Sequence, residues 1–190
     1  MSESTAILRY FQSIRSIPAA LLGALLLVAA LAAAPLPVQA AEGPSTGLPL
    51  PRFATTRSTP INVRVGPGTR YAISWVYVKA GTPVEIIQEF DTWRKIRDVD
   101  GSEGWVHQNL LSGKRAGLAA PWRAGDQVPL RSGKSPTDGV RAYLCSGFRV
   151  EIGGCDGSWC EVMASAEAGS YSGFLQQSEL WGVYEGETFN

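Results

Sequence analysis

Residues 77–96 read YVKAGTPVEIIQEFDTWRKI, and residues 143–162 read YLCSGFRVEIGGCDGSWCEV. Laid over one another at a shift of 66, they match at Tyr77 and Tyr143, Gly81 and Gly147, and Trp93 and Trp159. Val84-Glu85-Ile86 falls on Val150-Glu151-Ile152, and Ile96 falls on Val162. The correspondence runs outward from there. Asn62-Val63-Arg64 approaches Pro129-Leu130-Arg131 at a shift of 67. Gly104-Trp105-Val106-His107-Gln108 meets Gly173-Phe174-Leu175-Gln176-Gln177 at a shift of 69. The growing shift implies small loop insertions in the second copy. The chain therefore contains one unit twice.

Each unit reads as all-β. Val84-Glu85-Ile86 and Val150-Glu151-Ile152 alternate apolar and polar, the period of a half-buried strand. Asp91-Thr92, Asp100-Gly101 and Asp156-Gly157 sit between such runs, as hairpin turns do. No capped helical pattern interrupts them. Five or so short strands in about 60 residues suit a small barrel, so the expected fold is two small β-barrels in tandem.

The chain has 190 residues, no formal net charge and a single histidine. The lack of a basic excess excludes an ordinary nucleic-acid protein. One histidine and three cysteines exclude a multi-ligand His/Cys metal array. Neither a metal nor an organic cofactor is expected. The first forty residues hold 26 of the apolar side chains and read as a secretory signal. Arg9 and Arg15 supply the positive start, Ala19 to Ala34 the apolar stretch, and Val38-Gln39-Ala40 the small-residue cleavage site. Cleavage after Ala40 puts the remainder in the periplasm or outside the cell. An uncleaved signal segment is then the one expected membrane contact. Residues 41–190 carry a net charge of −1, split as +3 over 41–120 and −4 over 121–190.

These patterns divide the chain into a signal peptide (1–40), an extended lead (41–54), barrel one (55–113), a linker (114–125), barrel two (126–184) and a loose tail (185–190). Ala119-Ala120-Pro121-Trp122 in the linker is expected to pack against a barrel, because an exposed Trp is uncommon in a pure linker.

Asn62-Val63-Arg64-Val65-Gly66-Pro67-Gly68 resembles the opening motif of bacterial SH3-like domains. Gly81, Val84-Glu85-Ile86, Trp93 and Glu103-Gly104-Trp105-Val106 continue that pattern in order. Beyond residue 47 the whole chain is similar to the secreted tandem members of that family. Leu48-Pro49-Leu50-Pro51-Arg52 matches their opening and Leu180-Trp181-Gly182-Val183-Tyr184 their close. The resemblance implies two SH3-like barrels and a non-catalytic binding module, with a cell-wall peptide or an envelope protein segment as ligand. It also implies a cysteine pair in the second unit, matching Cys155 and Cys160. Two features depart from the pattern: Cys145 stands where the first unit has Lys79, and Ala164 to Ser172 makes a longer, plainer loop.

Several side chains are candidates for particular roles. Asn62, Arg64, Gly66 and Pro67 read as structural: Arg64 ties its own loop to the barrel, and the glycine and proline make the turn. Trp93, Lys95 and Arg97 share one strand face, opposite Ile96. Together with Trp75, Tyr77 and Trp105 they form the expected ligand surface, the alternative being a solvated strand face. His107 has no expected nucleophile or metal partner, and its counterpart is Gln176, so it reads as a surface side chain rather than a catalyst. If Asp156 to Trp159 make a hairpin loop, Cys155 and Cys160 stand opposite one another within disulfide reach. A bridge from Cys145 to either is the alternative. The expectation is a docking module and not an enzyme. A periplasmic scaffold protein is the second reading, and an accessory of a cell-wall hydrolase a remote third.

Overall fold

The computed structural model describes residues 41–167 and 169–190. The expected signal peptide, with Arg9, Arg15 and the cleavage site at Ala40, lies outside the described residues. The described residues fall in one compact unit.

The repeat is a repeat of topology. Barrel one uses β3 (Arg52–Thr56), β4 (Ile61–Arg64), β5 (Ile73–Tyr77), β6 (Pro83–Phe90), β7 (Trp93–Arg97), β8 (Glu103–His107) and β9 (Leu111–Ser112). β1 (Ala41–Glu42) and β2 (Pro49–Leu50) precede it as a separate short pair. Barrel two uses β10 (Ala116–Ala119), β11 (Gln127–Arg131), β12 (Val140–Cys145), β13 (Arg149–Asp156), β14 (Trp159–Ala166), β15 (Gly169–Gln176) and β16 (Leu180–Trp181), with β17 (Thr188–Phe189) added beside β13. The sheet orders are β5-β4-β8-β7-β6-β3-β9 and β12-β11-β15-β14-β13-β10-β16, strand for strand equivalent. The register repeats too. Ile86 opposes Ile96 and Ile152 opposes Val162, and each is followed by a β-bulge.

Alternation explains the cores. Ile61, Val63, Val84, Ile96 and Val106 point into barrel one, and Val128, Leu130, Val150, Val162 and Leu175 into barrel two. Each set forms its own cluster, as two small barrels require. The Asp91-Thr92 turn joins β6 to β7, with Asp91 in the left-handed region at φ 47°, where Asp is tolerated.

Several expected boundaries are corrected. The stretch 114–125 is not a linker throughout, since it holds β10, the strand between β13 and β16. Ala116, Gly117 and Ala119 are buried, and a side chain on Gly117 would meet the Trp181 carbonyl oxygen at 3.0 Å. A strand covered on both faces shows no alternation, which hides it from a period-2 reading. Ala119 and Ala120 are buried against barrel two, but Trp122 stands 55% exposed. The lead 41–54 contains β1, β2 and the start of β3. The tail 185–190 contains β17, paired to Cys155 and Asp156. Ala164 to Ser172 is not a plain loop: β14 and β15 stay paired out to Ala166 and Gly169.

Candidate functional site

The six expected ligand residues do not share one surface. Trp75 opposes Val63, and Tyr77 opposes Ile61, so both turn toward the core of barrel one. Their rings meet edge to face at 6.2 Å. Burial pushes the Tyr77 hydroxyl up to about 12. Trp93, Lys95, Arg97 and Trp105 lie on the other face of β7 and β8, where Trp93 opposes His107 and Lys95 opposes Trp105. That face is internally satisfied. Trp93 stacks edge-on against His107 at 5.5 Å, and Lys95 reaches Glu103 at 2.5 Å. Arg97 holds Glu85 through Nε at 2.9 Å and Nη2 at 2.8 Å. His107 Nδ1 accepts the Asn109 amide at 3.3 Å, ordering the next turn.

The four residues read as structural lie on β4 and the turn after it. Arg64 Nη1 donates to the Tyr71 carbonyl at 2.7 Å, and its twin Arg131 donates to the Asp138 carbonyl at 3.0 Å. Gly66 lies against the Tyr71 ring, Pro67 is half-buried and Asn62 is exposed. Cys155 and Cys160 are cross-strand partners 4.1 Å apart at Cα and are disulfide-bonded, leaving Cys145 free and exposed.

The two barrels are joined by the chain's own aromatic residues. Phe53 of β3 meets Trp181 edge-on at 5.2 Å and Tyr184 at 4.8 Å. The Tyr184 hydroxyl donates to Glu85 Oε1 at 2.8 Å. Burial, then this bond and the Glu85 charge, raise the tyrosine far above its ordinary range. Arg97, Glu85 and Tyr184 thus make one chain across the junction, so Arg97 serves the barrel contact. Arg115 stands over Phe53 at 5.9 Å and Phe189 at 4.3 Å, and pairs bidentately with Glu187 at 2.7 and 2.9 Å. Trp181 and Tyr184 of the Leu-Trp-Gly-Val-Tyr segment therefore belong to the junction, while Leu180 and Val183 pack in the core of barrel two.

That junction leaves a groove. One cavity of ≈ 660 Å³ is walled by Thr55, Thr56, Arg57 and Gly81 of barrel one, by Ser112, Lys114 and Arg115, and by Ala116, Arg149, Glu151 and Ile152 of barrel two. A second, of ≈ 630 Å³, is walled by Lys79, Ala80, Thr82 and Pro83 on one side and Leu118, Gly147, Phe148, Arg149 and Ser165 on the other. Arg149 lines both. Its guanidinium approaches Gly81 so closely that a side chain there would lie 2.8 Å from Nη1. Among the described residues, Arg57, Lys79 and Lys114 have no ion pair, and Arg149 has only Glu151 at 3.8 Å. Sequence reasoning missed these cations, because four separated segments bring them together. The described residues hold no cluster of three or more His, Cys, Asp or Glu arranged for a metal ion.

The Bacterial SH3 domain family profile matches residues 57–113 and 124–182. No curated protein matches the chain. Among solved structures, the chain is similar to NlpC2 from Trichomonas vaginalis at 12% identity and TM-score 0.29, covering 69% of this chain and 48% of that one. It is likewise similar to NlpC1 from the same organism at 14% identity and TM-score 0.29, covering 77% and 50%. This chain spans about half the length of those two proteins. The family match falls on both barrels and spans more than half the sequence: the chain belongs to the bacterial SH3 domain family, with the domain present twice.

Proposed function

We propose that the protein is an exported, non-catalytic docking module that holds a peptide of the cell wall in the groove between its barrels. Bacterial SH3 domains are in general binding modules, which supplies the class of function. The observation that carries the reading is the groove itself, built from both barrels at a junction fixed by Phe53, Trp181 and Tyr184. A two-sided cleft suits an extended ligand better than the outer face of β7 and β8, whose cations are already paired. Residues 1–40 act as a cleaved signal, and the Cys155–Cys160 bridge fits the oxidising compartment this implies.

Co-sedimentation of purified protein with isolated sacculi tests the reading. Wild type is expected in the pellet, and Arg149→Ala, which removes the group lining both cavities, is expected mainly in the supernatant. Wild type remaining in the supernatant overturns wall docking. Trp93→Ala is expected to sediment like wild type, and its loss from the pellet would move the site to the outer face of barrel one.

A further inference from the structure

The groove is lined by more positive charge than the folded chain neutralises. The larger cavity presents Arg57, Lys114, Arg115 and Arg149 against one carboxylate, Glu151. Of these, only Arg115 has a close ion pair, with Glu187 at 2.7 Å, and its Nη2 also donates to the Gly182 carbonyl at 2.8 Å. Even so, its Nε is buried and finds no acceptor among the described residues. The smaller cavity adds Lys79 and no acid. Elsewhere among the described residues six of ten cations are ion-paired, and the other four, Arg64, Arg70, Arg131 and Arg141, donate to a carbonyl or hydroxyl of the fold. Arg52, Arg94, Arg97, Lys95, Arg123 and Lys134 each reach an acidic partner. Cations left unpaired within one cleft, in a protein of near-zero net charge, are electrostatically incomplete, and low-dielectric walls concentrate their field on an entering ligand.

The site also offers neutral groups. Thr55 and Thr56 line the larger cavity beside Arg57. Thr55 Oγ1 is committed to the Lys114 carbonyl at 3.2 Å, a bond that ties the first barrel to the connecting segment under the lysine. Lys114 is therefore fixed at its backbone while its ammonium stays exposed. Arg149 extends across the junction over Gly81, placing a planar fork where both cavities open. An arginine fork suits bidentate pairing with a carboxylate, and lysines beside it add point charge.

We infer that the groove recognises its wall peptide through that peptide's carboxylates, with Arg149 as the central fork and Arg57, Lys114 and Lys79 flanking it. This rests on the docking reading above. Binding then weakens as salt rises, since the flanking groups are exposed.

Soluble wall fragments, released by a muramidase, are titrated calorimetrically into purified protein in two forms: native, and with their carboxyl groups amidated by carbodiimide and ammonia. Native fragments are expected to bind, and amidated ones at least tenfold more weakly. The double variant Arg57→Ala/Lys114→Ala, whose side chains make no hydrogen bond or ion pair among the described residues, is expected to bind native fragments about tenfold more weakly with an unchanged melting temperature. Equal binding of native and amidated fragments, or an unaffected double variant, overturns the carboxylate assignment while docking stands. Binding of neither form overturns docking and this inference together. If hexaglutamate binds where fragments do not, the groove belongs to an acidic protein segment and the wall source is wrong.

Discussion

Glu89 and Arg94 face one another across β6 and β7, and Cys155 and Cys160 face one another across β13 and β14, at the same place in the two barrels. One barrel closes this hairpin with charge and the other with a covalent bond. The difference extends to what lies on top. In barrel one Glu89 is buried and gathers the lead. It accepts Thr46 Oγ1 at 2.7 Å, the Ser45 and Thr46 amides at 3.0 Å, and Arg52 at 2.6 Å, with Arg94 Nε at 3.4 Å. Barrel two has no carboxylate there. Arg115, the counterpart of Arg52, turns instead to Glu187 of the C-terminal segment, and Gln177 holds that segment at the Glu187 carbonyl and the Gly186 amide. Each barrel is thus covered by the described end of the chain nearest to it, the first by an ionic latch, the second by a disulfide-backed strand, β17. A covalent bond needs no buried counter-charge, which frees Arg115 to work at the junction.

Breaking the ionic latch has the largest expected effect. Glu89→Ala leaves Arg94 buried with only Gln108 and carbonyl partners, and removing one member of a buried pair costs about 3–5 kcal/mol. Hydrogen–deuterium exchange should rise in β6–β7 and in residues 43–50, with β13–β14 unchanged. Equal loosening of both barrels would show that they unfold as one unit and that the latch is not local.

Acid provides the same break without a mutation. Burial alone works to raise the Glu89 carboxyl, but the bonds from Thr46, Arg52 and Ser45 and the charge of Arg94 outweigh it and hold the group at about 2. A carboxylate depressed on folding stabilises fully above its ordinary value, near 4.5, and loses that contribution as pH falls toward 2. Glu187 is depressed as well, against its burial, by Arg115 and the Tyr184 amide. On acidification β17 should therefore loosen beside β13. The β13–β14 pair, held by a bond that does not titrate, should keep its protection. The ratio of exchange in β6–β7 to that in β13–β14, measured at each pH, should climb between pH 4.5 and 2, and a flat ratio would remove the latch from the acid response.

Reduction is the converse and the smaller effect. The bridge closes a sequence separation of 5, so its loop-entropy contribution is about 2 kcal/mol. Dithiothreitol, or Cys155→Ala with Cys160→Ala, should destabilise barrel two by that amount in denaturant unfolding and leave barrel one where it was. A shift in β6–β7 protection on reduction would mean that the junction transmits stability between the barrels.

How much of the molecule is legible in its sequence depends on the distance over which each contact acts. The repeat, the alternation of β13 and the turn at Asp91-Thr92 are local, and the structure follows them; β6 departs from alternation at Glu85, which is buried beside Phe53 and Tyr184 at the junction. The Cys155–Cys160 pairing needs only a hairpin of the right length. β10 escapes because Ala116-Gly117-Leu118-Ala119 is squeezed between β13 and β16 and lacks a polar face. The Glu89 latch joins residues 37 to 44 positions apart, and Glu89 read alone is simply a charged strand residue. Alternation puts Lys95 and Arg97 on the face away from Ile96 but is silent about their partners, since Glu103 and Glu85 come from neighbouring strands. The groove is the least visible, because its walls exist only once Phe53 and Tyr184 have set one barrel against the other.

The finest test of the comparison uses Gly81 and Gly147, the twin glycines after β5 and β12. Their φ angles are 73° and 77°, and their amides donate to equivalent carbonyls, Thr56 and Ala119, both at 2.7 Å. Alanine at either site is forced into the left-handed region at a cost of about 1–2 kcal/mol. Only at Gly81 does the new methyl also meet something, the Arg149 guanidinium, whereas nothing lies within 4 Å of a methyl at Gly147. The obstacle is the far end of a flexible side chain and can swing aside at little cost. Gly81→Ala and Gly147→Ala should therefore show stabilities within about 0.5 kcal/mol of one another, while only Gly81→Ala displaces Arg149 and weakens binding in the groove. A Gly81→Ala protein much less stable than its twin would mean that Arg149 is held rigidly at the junction, acting as part of the barrel contact rather than as a fork available to a ligand.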